Sequence, residues 1–207
     1  MTASAPVSAR SSKPLWLYGV AAHLPQAVRQ GSLPARHERG FFRHGPSLVS
    51  SLTQWGGGDV WPSVVLVADD VEVSGLVSPE GVLLAVQRVP ALCDRVYGAW
   101  HGQPLRDIAA EKLAALLQDA DFAPPGGESA RQFQARIGAW AEGADLHGTA
   151  LFLARPAVVR AMAVHVLGGD SALTQKLDCA PGTLSLFTRQ GGDWRLRMMG
   201  APLGGEN

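Results

Sequence analysis

Short apolar runs alternating with helical periodicity constrain this chain more than any single motif does. The runs lie at 15–20, 63–68 (SVVLVA), 81–89 (GVLLAVQRV) and 149–154 (TALFLA). Strands this short and this apolar suit a sheet buried on both faces, and helices between them favour parallel crossovers. The fold class is therefore α/β, a mostly parallel sheet covered by helices. LRDIAAEKLAALL at 105–117 places Leu105, Ile108, Leu113, Leu116 and Leu117 on one side and reads as a packing helix. Ser129 caps a second helix with Phe133, Ile137 and Trp140 on one face and Gly143 near its end. PAVVRAMAVHVLGG at 156–169 opens on proline and closes on two glycines, a third helix with both ends marked. TLSLFTRQGGDWRLRMM reads as a β-hairpin about Gly191 and Gly192. The segment 52–62, LTQWGGGDVWP, is a loop whose Trp55 and Trp61 are assigned to packing rather than to a lid.

With 207 residues, 46% of them hydrophobic, the chain suits one domain. That domain is expected over 14–200, between a polar tail at 1–13 and a short tail at 201–207. Eighteen basic residues balance eighteen acidic ones, so no net field favours nucleic acid or an anionic membrane. A small molecule or a protein is the expected partner, and a homo-oligomer is left open. Cys93 and Cys179 form no CxxC pair, and no histidine stands at metal-ligand spacing from another histidine or a cysteine. No metal or cofactor is expected. The expected setting is reducing and cytoplasmic, although the Ser, Ala and Arg content of the first residues faintly resembles a transit peptide.

PPGGES at 124–129 followed by FQARIGAW, YGAWHG at 97–102, ERG at 38–40 and ALFLARPAVVRAM at 150–162 occur in an order and spacing that resemble the histidine phosphatase superfamily. The resemblance covers roughly 14–200 and implies a three-layer α/β/α fold like that of phosphoglycerate mutase. It also implies a first strand ending in Arg-His-Gly, whose histidine attacks phosphorus, and a second histidine after a later strand. Two arginines hold the phosphoryl group and an acid protonates the leaving oxygen. An imidazole suits that role because its neutral ring nitrogen is nucleophilic near neutral pH.

Laid on that pattern, LWLYGVAAH puts Gly19 in the place of the arginine and Val20 in the place of the nucleophile. Arg155 takes the place of the second histidine and Pro156 that of the glycine after it. Asp94 is the candidate acid, shorter than the family's glutamate. Asp69 and Asp70 stand near the position of the middle arginine, where two carboxylates would repel phosphate. Arg43, His44 and Gly45 spell the family's tripeptide, yet only Phe41 and Phe42 precede them as strand, and the next strand follows too soon for the family's long first helix. Taking Val20 as the reference instead puts ERG at the start of that helix, and His44 remains a candidate nucleophile.

His23 is a candidate that could reach the same pocket from a rearranged turn, with a loop position at the surface as the plainer alternative. Gly126 and Gly127 are expected in a tight turn that brings backbone N–H groups toward the pocket, with Glu128 either structural or lining it. Tyr18, Val20 and Arg155 complete the candidate binding residues. His101 is expected at the surface, His37 and His147 in solvent, His165 half-buried and hydrogen-bonded, and Arg160 paired with a carboxylate. The expectation is a degenerate family member without phosphohistidine chemistry, acting as a binding or accessory module. The alternatives are a repurposed enzyme using Arg155 with Asp94 or Glu128, assisted by Tyr18 or His23, and a weak phosphatase working through His44.

Overall fold

The structure, a computed structural model, describes residues 14–43, 61–74 and 84–203, together with Leu48, Ser51, Leu52, Gln54, Leu76 and Ser78. The strands are β1 (Leu15–Ala21), β2 (Gly40–Arg43), β3 (Val64–Val67), β4 (Val71–Ser74), β5 (Val86–Arg88), β6 (Thr149–Ala154), β7 (Thr183–Gln190) and β8 (Asp193–Pro202). The α-helices are α1 (Gln26–Arg29), α2 (Ala110–Gln118), α3 (Ala130–Gly143) and α4 (Pro156–Val166).

Six strands form one sheet in the order β5-β3-β6-β1-β7-β8, and helices flank it. The neighbouring pairs among β5, β3, β6 and β1 are parallel, while the β7–β8 hairpin closes the far edge antiparallel. The central strands β1 and β6 carry apolar side chains on both faces because both faces are covered, and every residue of β6 is buried. Gly19 has a packing reason. A Cβ there would fall 2.4 Å from Cζ of Phe152, its partner on β6, so the Phe152 ring occupies the room a side chain would need.

The helix marked by Ser129 begins where expected. Its hydroxyl accepts from the Gln132 amide while the Gln132 side chain accepts from the Ser129 amide, a complete capping box. Pro156 occupies the first turn of α4, which follows β6 after the single residue Arg155. The 105–117 segment is not one helix. Leu105–Asp107 make a 3-10 turn and Ile108 is extended, which lets it bury in a satellite cluster with Leu33, Trp100 and Leu116 before α2 starts. Of the 81–89 run, residues 81–83 lie outside the described residues and Val86–Arg88 form β5, while β8 runs on to Pro202 beyond the boundary placed at 200. Trp61 is partly buried against the main core, while Trp55 lies outside the described residues.

A second, two-stranded parallel sheet of β2 and β4 stands apart from the main one. It corrects the expectation that ERG opens a helix, because Gly40 instead begins β2. The strand leading to Arg43 thus belongs to this small sheet, and His44 itself lies outside the described residues.

Candidate functional site

The parallel strands β1, β3, β5 and β6 end on one edge of the sheet, where open α/β sheets form their clefts. A cleft of about 510 Å³ opens there, lined by the 34–39 loop, Asp69 and Asp70, the 93–96 turn, His101 and Arg155. Arg155, only 1% exposed, is the residue between β6 and α4. Its Nε lies 3.0 Å from Asp70 Oδ2, its Nη1 lies 3.6 Å from Asp94 Oδ2, and its Nη2 donates to the Glu38 carbonyl. A guanidinium with so little water must be neutralised by its neighbours, and here two carboxylates do it.

Both acids are held in place. Asp70 Oδ2 also accepts from the Asp94 amide at 3.0 Å. Arg88 donates to the Ala68 and Val71 carbonyls on either side of the aspartate pair, at 3.1 and 2.6 Å. Arg136, reaching across from α3, donates to the Ala91, Cys93 and Asp94 carbonyls and pairs with Glu128 at 2.8 Å. Burial pushes the Asp94 carboxyl up, the Arg155 charge opposes the rise and Asp70 adds to it. Burial, then the Asp70 charge, raises the Cys93 thiol as well, away from the thiolate a nucleophile needs.

The register of β1 on β6 shows which residue stands beside Arg155. Val20 pairs with Leu153 and Ala21 with Ala154, and the Ala22 amide donates to the Ala154 carbonyl. The neighbour of Arg155 at the strand end is therefore Ala22, while Val20 lies a pleat deeper, fully buried. Tyr18 is deeper still, and burial raises its phenol. Neither Tyr18 nor Val20 lines the cleft.

His23 does not turn into the cleft. Its ring stacks on Phe41 at 5.2 Å, and its backbone exchanges hydrogen bonds with Phe41. His101 corrects the surface expectation: half-buried, its Nε2 accepts from the Tyr97 amide at 3.2 Å and its Nδ1 faces the Pro34 carbonyl at 2.8 Å. A carbonyl can only accept, so Nδ1 carries the proton and both ring nitrogens are engaged. His37 is exposed at the rim and makes no hydrogen bond or ion pair among the described residues. His165 meets Glu142 at 2.9 Å, and His147 is exposed beside Asp145.

Gly126 does make a tight turn, at φ 68°, but the turn keeps its amides for itself. Gly127 N–H goes to the Pro124 carbonyl and Glu128 N–H to the Val96 carbonyl. Glu128 is committed to Arg136 and lies outside the cleft lining. Gly98, at φ 55°, is what lets this turn pack against the 95–98 segment. A Cβ there would fall 2.2 Å from the Pro125 oxygen. Arg160 also departs from expectation, since it makes no ion pair among the described residues. Arg136 and the Arg155–Asp70 contact were not foreseen. Arg136 lies three residues after Phe133, on the margin of the apolar face, where a long side chain reaches over a buried turn.

Fold and cleft together define an α/β protein with a charged cleft at the carboxyl ends of its parallel strands. The sequence pattern described as the histidine phosphatase superfamily (branch 1) matches residues 76–202, more than half of the chain, and the chain belongs to that family. The match begins after β1 to β4. The crystal structure of the alpha-ribazole phosphatase from Shigella flexneri is similar over 94% of this chain and 100% of that one, at 19% identity and a TM-score of 0.68. A putative alpha-ribazole-5'-P phosphatase from Escherichia coli covers 95% and 100% at 20% identity and 0.66. A phosphoserine phosphatase mutant (H9A) from Entamoeba histolytica, in complex with phosphoserine, covers 90% and 96% at 11% and 0.64. At these identities the likeness is one of fold. No curated protein is significantly similar in sequence.

Proposed function

We propose that this chain is a histidine phosphatase-fold protein without phosphohistidine catalysis, serving as a binding or accessory module for a small molecule or a protein. The observation that carries this reading is the company Arg155 keeps. A phosphoryl site needs positive charge left over for the equatorial oxygens and an oriented imidazole for the attack. Here the buried guanidinium faces Asp70 and Asp94, and its strand neighbour is Ala22. Of the described imidazoles lining the cleft, His101 has both nitrogens engaged and His37 makes no orienting contact among the described residues.

The test is phosphoenzyme formation. Incubated with p-nitrophenyl phosphate, the protein should release no nitrophenol above background and carry no acid-labile phosphohistidine. Labelling abolished by His44→Ala or His37→Ala would overturn the reading and establish a phosphatase.

A second reading, a proton-transfer enzyme in the same cleft, is favoured by Asp94, a cleft acid whose pKa burial raises toward the range useful for a general acid. Glu128 adds nothing to it, being paired with Arg136. Turnover of any small-molecule substrate that Asp94→Asn removes without loss of folding would favour this second reading over the first.

A further inference from the structure

The 34–39 segment at the mouth of the strand-end cleft carries a charge pattern that the interior of the cleft does not share. Arg36, His37 and Arg39 are exposed, line the cleft and make no side-chain hydrogen bond or ion pair among the described residues. Glu38, the one acid among them, is half-buried, and its Oε2 accepts from the Ala35 amide at 3.1 Å. Asp70 and Asp94 sit deeper, with side chains 20% and 11% exposed, and both face Arg155. Two uncommitted guanidinium groups thus stand at the mouth, outside the carboxylates.

These arginines are carried on a braced turn. The Glu38 amide donates to the Ala35 carbonyl at 3.1 Å, which closes the turn, and the Glu38 carbonyl accepts from Nη2 of the buried Arg155. At one end the Pro34 carbonyl accepts from the Gly102 amide at 3.2 Å and faces His101 Nδ1 at 2.8 Å. At the other end the Gly40 amide donates to the Asp70 carbonyl at 2.8 Å. Side chains on a braced backbone lose less freedom on binding than those on a loose tail.

The surroundings narrow the partner. An exposed ion pair is worth little in water, so one small anion at Arg36 or Arg39 is barely retained. Carboxylates carried on one chain add their contributions, because the second contact forms at high effective concentration. An anion that enters further meets Asp69, Asp70 and Asp94, which keeps the partner's charge at the mouth. A footprint of two arginines on a chain of zero net charge is small for a nucleic acid, which is held by many phosphate contacts. We propose that the 34–39 turn is a docking site for an acidic segment of another protein, whose carboxylates pair with Arg36 and Arg39. This names the partner chemistry of the binding module and rests on that reading.

Fluorescence anisotropy of the full chain with labelled hexaglutamate tests it, with hexalysine and hexathymidylate as comparison probes. Hexaglutamate should bind saturably at about 20 mM salt and several-fold more weakly at about 200 mM, as expected for exposed charges. Hexalysine should not bind, and hexathymidylate should bind more weakly than hexaglutamate. Arg36→Glu combined with Arg39→Glu should weaken hexaglutamate about tenfold or more. Arg195→Glu combined with Arg197→Glu makes the same change in net charge on two exposed residues of β8 that do not line the cleft, and should weaken it less than about twofold. Glu38→Ala separates a presented turn from charge alone. Loss of a carboxylate beside two arginines tightens binding if only charge matters, and weakens it if the turn must hold them. Weaker binding is expected, restored by Glu38→Gln, whose amide oxygen can still accept from Ala35, with melting temperatures showing each variant folded. Four results would each overturn the proposal: no saturable hexaglutamate binding by the wild type, equal weakening by the two arginine pairs, tighter binding of hexathymidylate, or a Glu38→Ala affinity equal to or above that of the wild type. Phosphohistidine formation is a separate readout that bears on the non-hydrolytic reading alone.

Discussion

Two cavities share the wall formed by Asp94 and Arg95, and their arginines are used in opposite ways. In the strand-end cleft, Arg155 is buried against two carboxylates and a carbonyl of the same chain. In the other, lined in part by Leu116, Phe133 and Gln134, half-buried Arg160 makes no ion pair among the described residues, and Nε of both arginines is without a hydrogen-bond partner. The difference between them is therefore one of ion pairing: the charge of Arg155 is committed to carboxylates of the fold, and that of Arg160 is not. At the strand ends the buried guanidinium is thus turned toward the fold's own acids.

The sharpest test of that contrast is stability. Arg155→Ala leaves Asp70 and Asp94 facing one another without a counter-charge, and should lower the unfolding free energy by about 3–5 kcal/mol at neutral pH. Arg160→Ala removes no ion pair and should stay within about 1 kcal/mol of wild type. Urea unfolding of both variants checks this. Equal losses would erase the distinction between the cavities.

A smaller effect concerns pH. A carboxyl whose pKa is higher in the folded than in the unfolded state takes up a proton on folding. Its contribution to stability is complete below its ordinary value and is lost as the pH rises through the raised one. Burial raises Asp94 above 3.8, so wild type should lose stability relative to Asp94→Asn as the pH climbs from 3.8 upward, levelling once Asp94 is ionised. Urea midpoints of the two proteins across that range read the difference directly. A gap that stays constant with pH would mean that Asp94 titrates as a free carboxylate and that Arg155 fully offsets its burial.

Local features of the fold were legible in the sequence where short-range chemistry decides them. The β7–β8 hairpin turns at Gly191 and Gly192, both at positive φ, as the paired glycines implied. The Ser129 cap and Pro156 at the start of α4 follow the same logic. The β2–β4 sheet was not legible, because FFR is too short a run to declare a strand and its partner VEVS follows β3 after only three residues. In the site, Ala22 rather than Val20 stands beside Arg155 because strand register is set by the whole β1–β6 ladder and not by motif alignment. The Arg155–Asp70 contact joins the ends of two different strands, so no local pattern announces it, although the unusual aspartate pair after β3 was the visible half.

The most direct measurement is a calorimetric titration of the protein with inorganic phosphate at neutral pH. Internal neutralisation of Arg155 implies no saturable heat. Tight phosphate binding that Arg155→Ala abolishes would show that the guanidinium is free to hold a phosphoryl group, and would contradict the reading of this cleft as closed to that chemistry.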